Sequence, residues 1–181
     1  NTAGMIGILM FTHRVFRPRA RWARRAVQSA AALSALAFFV TAAVDRFEVR
    51  VIPNPAYLAV VAVRVASMLW MTVESLLYFA QLGKRQRLGL ADPLLVNRFL
   101  LWGVWAASMS LMQLSDPIGR FWYWWITGTT VQWIPEVGRT IIVSMIATTS
   151  ALGVVSAATL FLTFFPTAAY KRWVAAHASS A

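Results

Sequence analysis

Apolar residues run in four long blocks along this chain, at about 26–44, 55–82, 94–114 and 139–165, with polar and basic clusters between them. Each block supplies the roughly 20 residues that a helix rising 1.5 Å per residue needs to cross a bilayer. A shorter run, NTAGMIGILMF, opens the chain and is about half a span. The pattern predicts an all-α protein: a polytopic transmembrane helical bundle of four full spans plus a partial N-terminal helix at 1–13, forming a single integral-membrane domain over 1–181. The opening shows neither the basic start nor the small-residue cleavage site of a signal peptide. It reads as the inner part of a helix that begins upstream, in a larger bundle or in a chain cleaved before this point.

The segments between blocks carry the turn chemistry. RVFRPRARWARR, at 14–25, holds six arginines and a proline and reads as a solvated loop at a membrane face. DRFEVRVIPNP, at 45–55, reads as a polar turn whose prolines stop continuous helix. KRQRLGLADP, at 84–93, predicts a tight hairpin. Gly83 is placed to cap the second span in the left-handed conformation, and Asp92 before Pro93 has the order of an N-cap followed by proline at the first helical position. Beyond the third span the aromatic segment reads as a loop to about Gly138, and PTAAYKRWVAAHASSA as a short tail.

Composition agrees with the pattern. The chain is 59% hydrophobic and 13% charged, where a soluble domain carries about a quarter charged residues. It has no cysteine, so disulfides, thiolate metal sites and thiol catalysis are excluded. Its net charge of +11 matters chiefly through its distribution. Loop 14–25 has six basic residues, segment 84–98 has four (Lys84, Arg85, Arg87, Arg98) and the tail has two (Lys171, Arg172), so twelve of the seventeen fall on one face of the predicted topology. On the other face Asp45, Arg46, Glu48 and Arg50 cancel, as do Asp116, Arg120, Glu136 and Arg139. Lysine and arginine near span ends are retained in the cytoplasm. The expectation is therefore a bacterial inner-membrane protein with basic loops and C-terminus cytoplasmic. Attraction to anionic lipid then accounts for the charge without nucleic acid as a partner.

Four features are candidates for function. Arg64 and Glu74 lie within the second block, and intramembrane charges are costly enough to face a bundle interior by default. Ten residues apart on one helix, they stand about 15 Å apart along the axis and about 80° around it, too far to pair. Arg64 is expected to reach toward Asp45 or water, and Glu74 to be approached by Arg98 or Asn97 of the next span. A clamp fixing helix register, a proton relay and a ligand contact are the readings open for them. The stretch FWYWWITGTTVQWIP, with Phe121, Trp122, Tyr123, Trp124, Trp125 and Trp133, reads as a helix or loop lying in the outer interface. Its rings serve as membrane anchors or as contacts for a bound lipid, quinone, pigment or neighbouring subunit. Small residues at Thr149, Gly153 and Ala157, and at Ala26, Ala30 and Ser34, form ridges that let helices approach closely. His13 is a weak haem or chlorin ligand candidate and His177 a weaker one, with no other metal ligand cluster in view.

RLGLADPLLVNRFLLWG, at 87–103, and FFPTAAYKRWV, at 164–174, together resemble a family of uncharacterised multi-spanning bacterial inner-membrane proteins in which a Gly-Leu-Ala-Asp-Pro turn and an Asn-Arg-Phe helix start recur. The resemblance covers the last two thirds of the chain. It implies a helical bundle of up to seven spans, is silent about chemistry, and carries over no catalytic residues. The chain has no phosphate loop, nucleophile elbow or paired-histidine motif. The expectation is a non-catalytic accessory or scaffold subunit of a larger membrane complex, energy-transducing (photosynthetic or respiratory) in one setting, with lipids and other membrane subunits as partners. A sensory or small-ligand module signalling through a partner is the alternative. A transporter fits least, since deep polar residues are few and broken helices absent.

Overall fold

The computed structural model describes residues 2–44, 55–128 and 135–178, and these form six helices and no strand. They are α1 (Thr2–Phe16), α2 (Arg21–Val44), α3 (Pro55–Arg87), α4 (Pro93–Thr127), α5 (Pro135–Phe164) and α6 (Ala168–Ala178). Four of them, α2 to α5, are long and apolar enough to cross a membrane, and α1 is a shorter apolar helix. The fold class expected from the hydropathy pattern is the one observed.

The helix ends differ from expectation for a common reason: arginine and lysine are good helix formers, so a basic stretch does not stop a helix. The loop expected over 14–25 shrinks to residues 17–20, where Pro18 interrupts the backbone ladder. The turn is closed by the amides of Arg17 and Ala20, which donate to the carbonyls of His13 and Arg17 at 3.0 and 3.1 Å. Gly83 does not cap the second span. α3 continues through it to Arg87, with Lys84, Arg85 and Arg87 in the last turn, where positive charge suits the helix dipole. The left-handed residue is Gly89, at φ +70°, and the Leu90 amide returns to the Arg85 carbonyl at 2.9 Å. Both glycines have open space around a would-be Cβ, so only backbone conformation separates them. Gly83→Ala is expected to stabilise by about 0.5–1 kcal/mol. Gly89→Ala is expected to destabilise by about 1–2 kcal/mol. Paired thermal unfolding curves check both signs.

α4 begins as expected. Asp92 is extended and its side chain accepts the Leu94 amide at 2.9 Å, with Pro93 opening the helix. Its far end is a correction. The helix runs on through Pro117 to Thr127, taking in most of the aromatic run expected as a separate interfacial helix or loop, and stops at Gly128, φ +65°, whose amide donates to the Trp124 carbonyl at 2.8 Å. Ser115, near the proline, satisfies its hydroxyl on the Met112 carbonyl at 2.7 Å. The tail is also helical, as α6.

α3 and α4 form the central antiparallel pair. α5 packs on the other side of α4, α1 and α2 pack on α3, and α6 rests on α4. Close approach is set by two glycines on α4. A Cβ on Gly103 would stand 2.8 Å from a Leu76 methyl, and one on Gly119 would stand 2.1 Å from the Met145 sulfur. α1 turns Met5, Leu9, Thr12 and Phe16 inward at helical spacing. Met5 meets Met68, Met71 and Ala106 in the core, with Trp102 and Trp105 packed against it. α2 presents Ala23, Ser34 and Ala37. The basic residues of α1, α2, the α3–α4 turn and α6 gather at one end of this row, here called the basic end; Asp116, Arg120, Glu136 and Arg139 mark the opposite end.

Candidate functional site

Glu74 is 4% exposed, and its environment is built by α1, α2 and α3. One carboxylate oxygen, Oε1, accepts from the Arg17 Nε at 2.7 Å and from the Trp70 indole at 3.1 Å. Trp70 sits one turn before Glu74 on α3, and Trp22, in the first turn of α2, lies against its ring at 5.5 Å. Arg17 belongs to the α1–α2 turn, so Glu74 stands level with that turn and serves as its anchor. The second oxygen, Oε2, and the neighbouring Ser75 hydroxyl are shut from solvent and lack a hydrogen-bond partner among the described residues. The hydrogen bond that Arg17 donates to Glu74, and then the charge of Glu74, raise the Arg17 guanidinium above its ordinary value. A raised cation keeps its contribution until pH climbs past that value, beyond any working range, so this partner stays charged.

The partners expected for Glu74 are elsewhere. Arg98 is exposed. Asn97, on the α4 face toward α6, donates to the Tyr170 hydroxyl. This contact joins the two segments that carry the family resemblance, and Pro93, Val96, Trp173 and Val174 line the small cavity beside it. Burial raises the Tyr170 hydroxyl above its ordinary value, with the Asn97 hydrogen bond opposing. A raised value means stability that is complete below the unfolded tyrosine value and lost as pH rises through the folded one. α6 docking is therefore expected to loosen above about pH 10. Tyr170→Phe should weaken docking by about 1 kcal/mol and abolish that alkaline step, as read by protease accessibility of α6 against pH.

At the opposite end, α3 and α4 build a second cluster. The Tyr57 hydroxyl donates to the Asp116 carboxylate, and Arg120, one turn on, chelates it with Nε at 3.1 and 2.9 Å from the two oxygens. The Arg120 guanidinium also lies 5.9 Å from the centre of the Tyr57 ring. Arg64 is half-buried two turns from Tyr57 on the same face of α3. Its expected partner Asp45 lies outside the described residues.

The aromatic run divides by helical register. Tyr123 is completely buried against Ile141, with Trp124, Val137 and Met145 around them. It is a core residue, a correction to its expected place in the interfacial rim. Phe121, Trp122 and Trp125 are exposed at 56%, 53% and 82%, while Phe121 meets Trp124 edge to face at 5.9 Å. Trp133 lies outside the described residues. Trp122 lines an apolar groove of about 360 Å³ between α4 and α5, with Leu111, Ile118, Ser144 and Thr148 among its walls.

The small-residue ridges also rotate with register. On α5, Thr149 and Gly153 are half-buried toward α4, but Ala157 is exposed and Ser156 takes its place at 6% exposure. Steps of four residues turn about 400°, so a ridge drifts about 40° per step and leaves the contact by its third member. On α2, Ala30 is half-buried and Ser34 buried, whereas Ala26 is exposed and Ala23 fully buried. His13 is half-buried on α1, with Nε2 shut from solvent and lacking a partner among the described residues. No group of three or more His, Asp or Glu placed to hold a metal occurs among the described residues. The side chain of His177 lies outside them.

Sequence reasoning missed Arg17, Trp70, Tyr57 and Tyr170. Tyr57 and Asp116 flank span ends in the same polar layer, the one signal that points to their meeting. Nothing distinguishes Arg17 from five other arginines nearby except its place before Pro18, where the chain turns. Comparison with family models, with curated proteins and with solved structures gives no match.

Proposed function

We propose that this protein is a non-catalytic scaffold subunit of a larger bacterial inner-membrane complex, oriented with its basic end in the cytoplasm. The observation that carries the reading is the uncovered side of α5. This helix packs on α4, and beside that contact Thr140, Ser144, Ala147, Thr148 and Ala151 are all exposed. Ser144 and Thr148 of this stripe line the apolar groove that Trp122 and Ile118 complete on α4. Ser144 and Thr148 turn their hydroxyls back to carbonyls of their own helix, each at 2.9 Å, so the stripe is apolar in character as well as small. Lipid chains gain nothing from small residues, whereas a partner helix packs closely only against them. The groove and stripe together fit one transmembrane helix of another subunit. The polar clusters support the reading from the other side: Glu74 and Asp116 are both engaged in holding helices together.

Photo-crosslinking tests it. A diazirine side chain at Ala151 is expected to capture a discrete protein partner in native membranes, while one at Leu36, on the exposed bulky face of α2, captures lipid. Lipid adducts alone at both positions would contradict the proposal. A second reading, a small-ligand module, rests on Glu74 Oε2 and Ser75 Oγ, two adjacent buried polar atoms lacking partners among the described residues. Ligand-dependent protection of the isolated protein that disappears in Glu74→Gln would favour it.

A further inference from the structure

A second groove, of about 340 Å³, lies between α1 and α2 and is chemically graded along its length. At the turn end it is lined by Arg14 and His13 of α1 and Arg24 of α2; further in come Met10, Val27 and Gln28, then Ile6 and Ala31. Because the two helices are antiparallel and joined by a four-residue turn, the sequence order on each gives the depth directly. From Arg14 to Ile6 is eight residues, or about 12 Å at 1.5 Å per residue. The groove is thus cationic at the mouth, amide-bearing below it, and apolar beyond.

Both arginines are exposed, and neither is paired with a carboxylate among the described residues. Glu74, the acid nearest in the fold's logic, is occupied by Arg17. No acidic residue lines the groove. Two planar guanidinium groups, one from each helix at the same end of the groove, suit a phosphate, whose oxygens accept paired N–H donors. A free anion would use only the mouth and leave the apolar stretch along Ile6, Met10, Val27 and Ala31 unused. An amphiphile uses the whole gradient.

We propose that this groove is a binding site for one acidic phospholipid. The phosphodiester sits between Arg14 and Arg24, the Gln28 amide meets the glycerol ester layer, and the first part of an acyl chain lies along Met10, Val27, Ile6 and Ala31. The site anchors the α1–α2 hairpin to an anionic leaflet through one specific lipid, where the remaining basic residues act only as diffuse charge. The assignment stands independently of the partner groove on α5.

The test is lipid retention by native mass spectrometry of the whole protein in mild detergent, titrated with phosphatidylglycerol, with phosphatidylcholine, or with inorganic phosphate followed by thermal shift. One phosphatidylglycerol should be retained in preference to phosphatidylcholine, and phosphate alone should give no shift. Each cation near an anionic surface is worth roughly a fivefold in binding, so Arg14→Gln with Arg24→Gln should lower retention by more than about tenfold. Lys84→Gln with Arg87→Gln removes the same charge from the exposed end of α3 and should leave the retained lipid in place. Val27→Trp fills the groove without changing charge and should also expel the lipid, which keeps the test sound if the arginine pair impairs folding. Equal loss in the Lys84/Arg87 control, retention in Val27→Trp, equal binding of phosphatidylcholine, or full stabilisation by phosphate alone would each overturn the assignment.

Discussion

Arg17→Ala is expected to be among the most damaging single substitutions at the basic end of the bundle. The Glu74 side chain is 5% exposed and that of Arg17 is 46% exposed. Removing the cation leaves a buried carboxylate with the Trp70 indole as its one remaining donor among the described residues. Breaking a buried ion pair from one side costs about 3–5 kcal/mol. The arginine is solvent-exposed and screened, so the loss here is expected to fall below that range while exceeding the loss in Glu74→Gln. Glu74→Gln should cost less, about 1 kcal/mol, because an amide oxygen still accepts from both donors and no charge is stranded. The diagnostic result is the pair: in the Glu74→Gln background, Arg17→Ala should cost well under half its cost alone. Unfolding of the four proteins in mixed micelles measures this coupling. Equal costs in both backgrounds would mean that Arg17 stabilises the turn without Glu74.

The second large effect is expected at Gly119. A Cβ there would lie 2.1 Å from the Met145 sulfur and 2.9 and 3.0 Å from its flanking carbons. Met145 is flexible and borders the α4–α5 groove, but it also packs on the buried pair Tyr123 and Ile141, so making room means giving up part of that contact. Gly119→Ala should therefore cost about 1–3 kcal/mol, the range for overpacking a filled contact. Gly119→Leu should separate α5 from α4 altogether. Met145→Ala makes room, so the double variant Gly119→Ala with Met145→Ala should be less destabilised than the two single losses combined. A fluorescence-transfer pair on α4 and α5 follows the separation. Simple additivity would show that the two helices do not meet at this point.

These two sites illustrate what a sequence of this kind reveals. The spans were legible because crossing a bilayer demands an uninterrupted apolar run, and such a run leaves no alternative. The hairpin at Asp92–Pro93 was legible because capping chemistry is local. Helix ends were not, since arginines at 14, 21 and 24 and lysine at 84 extend helices while looking like loop. Glycine identity was ambiguous in the same way. Gly83 and Gly89 both follow the apolar run, and the choice between them was settled by the Arg85 carbonyl accepting the returning chain. The polar partners were hidden because they are tertiary. Arg17 and Glu74 are 57 residues apart, and Asn97 and Tyr170 are 73 apart. Only the burial of Tyr123 had a readable sign: Gly119, one turn earlier on the same face, marks where another helix comes close.

On the proposed reading, the uncovered α4–α5 groove is completed by another subunit. Extraction from the native membrane in mild detergent, followed by sizing and mass spectrometry of the particle, addresses it most directly. The expected particle is much larger than the 20.1 kDa chain, with at least one other multi-spanning protein in fixed ratio that is lost in Gly119→Leu. A bare particle of this chain alone, unchanged by that substitution, would contradict it.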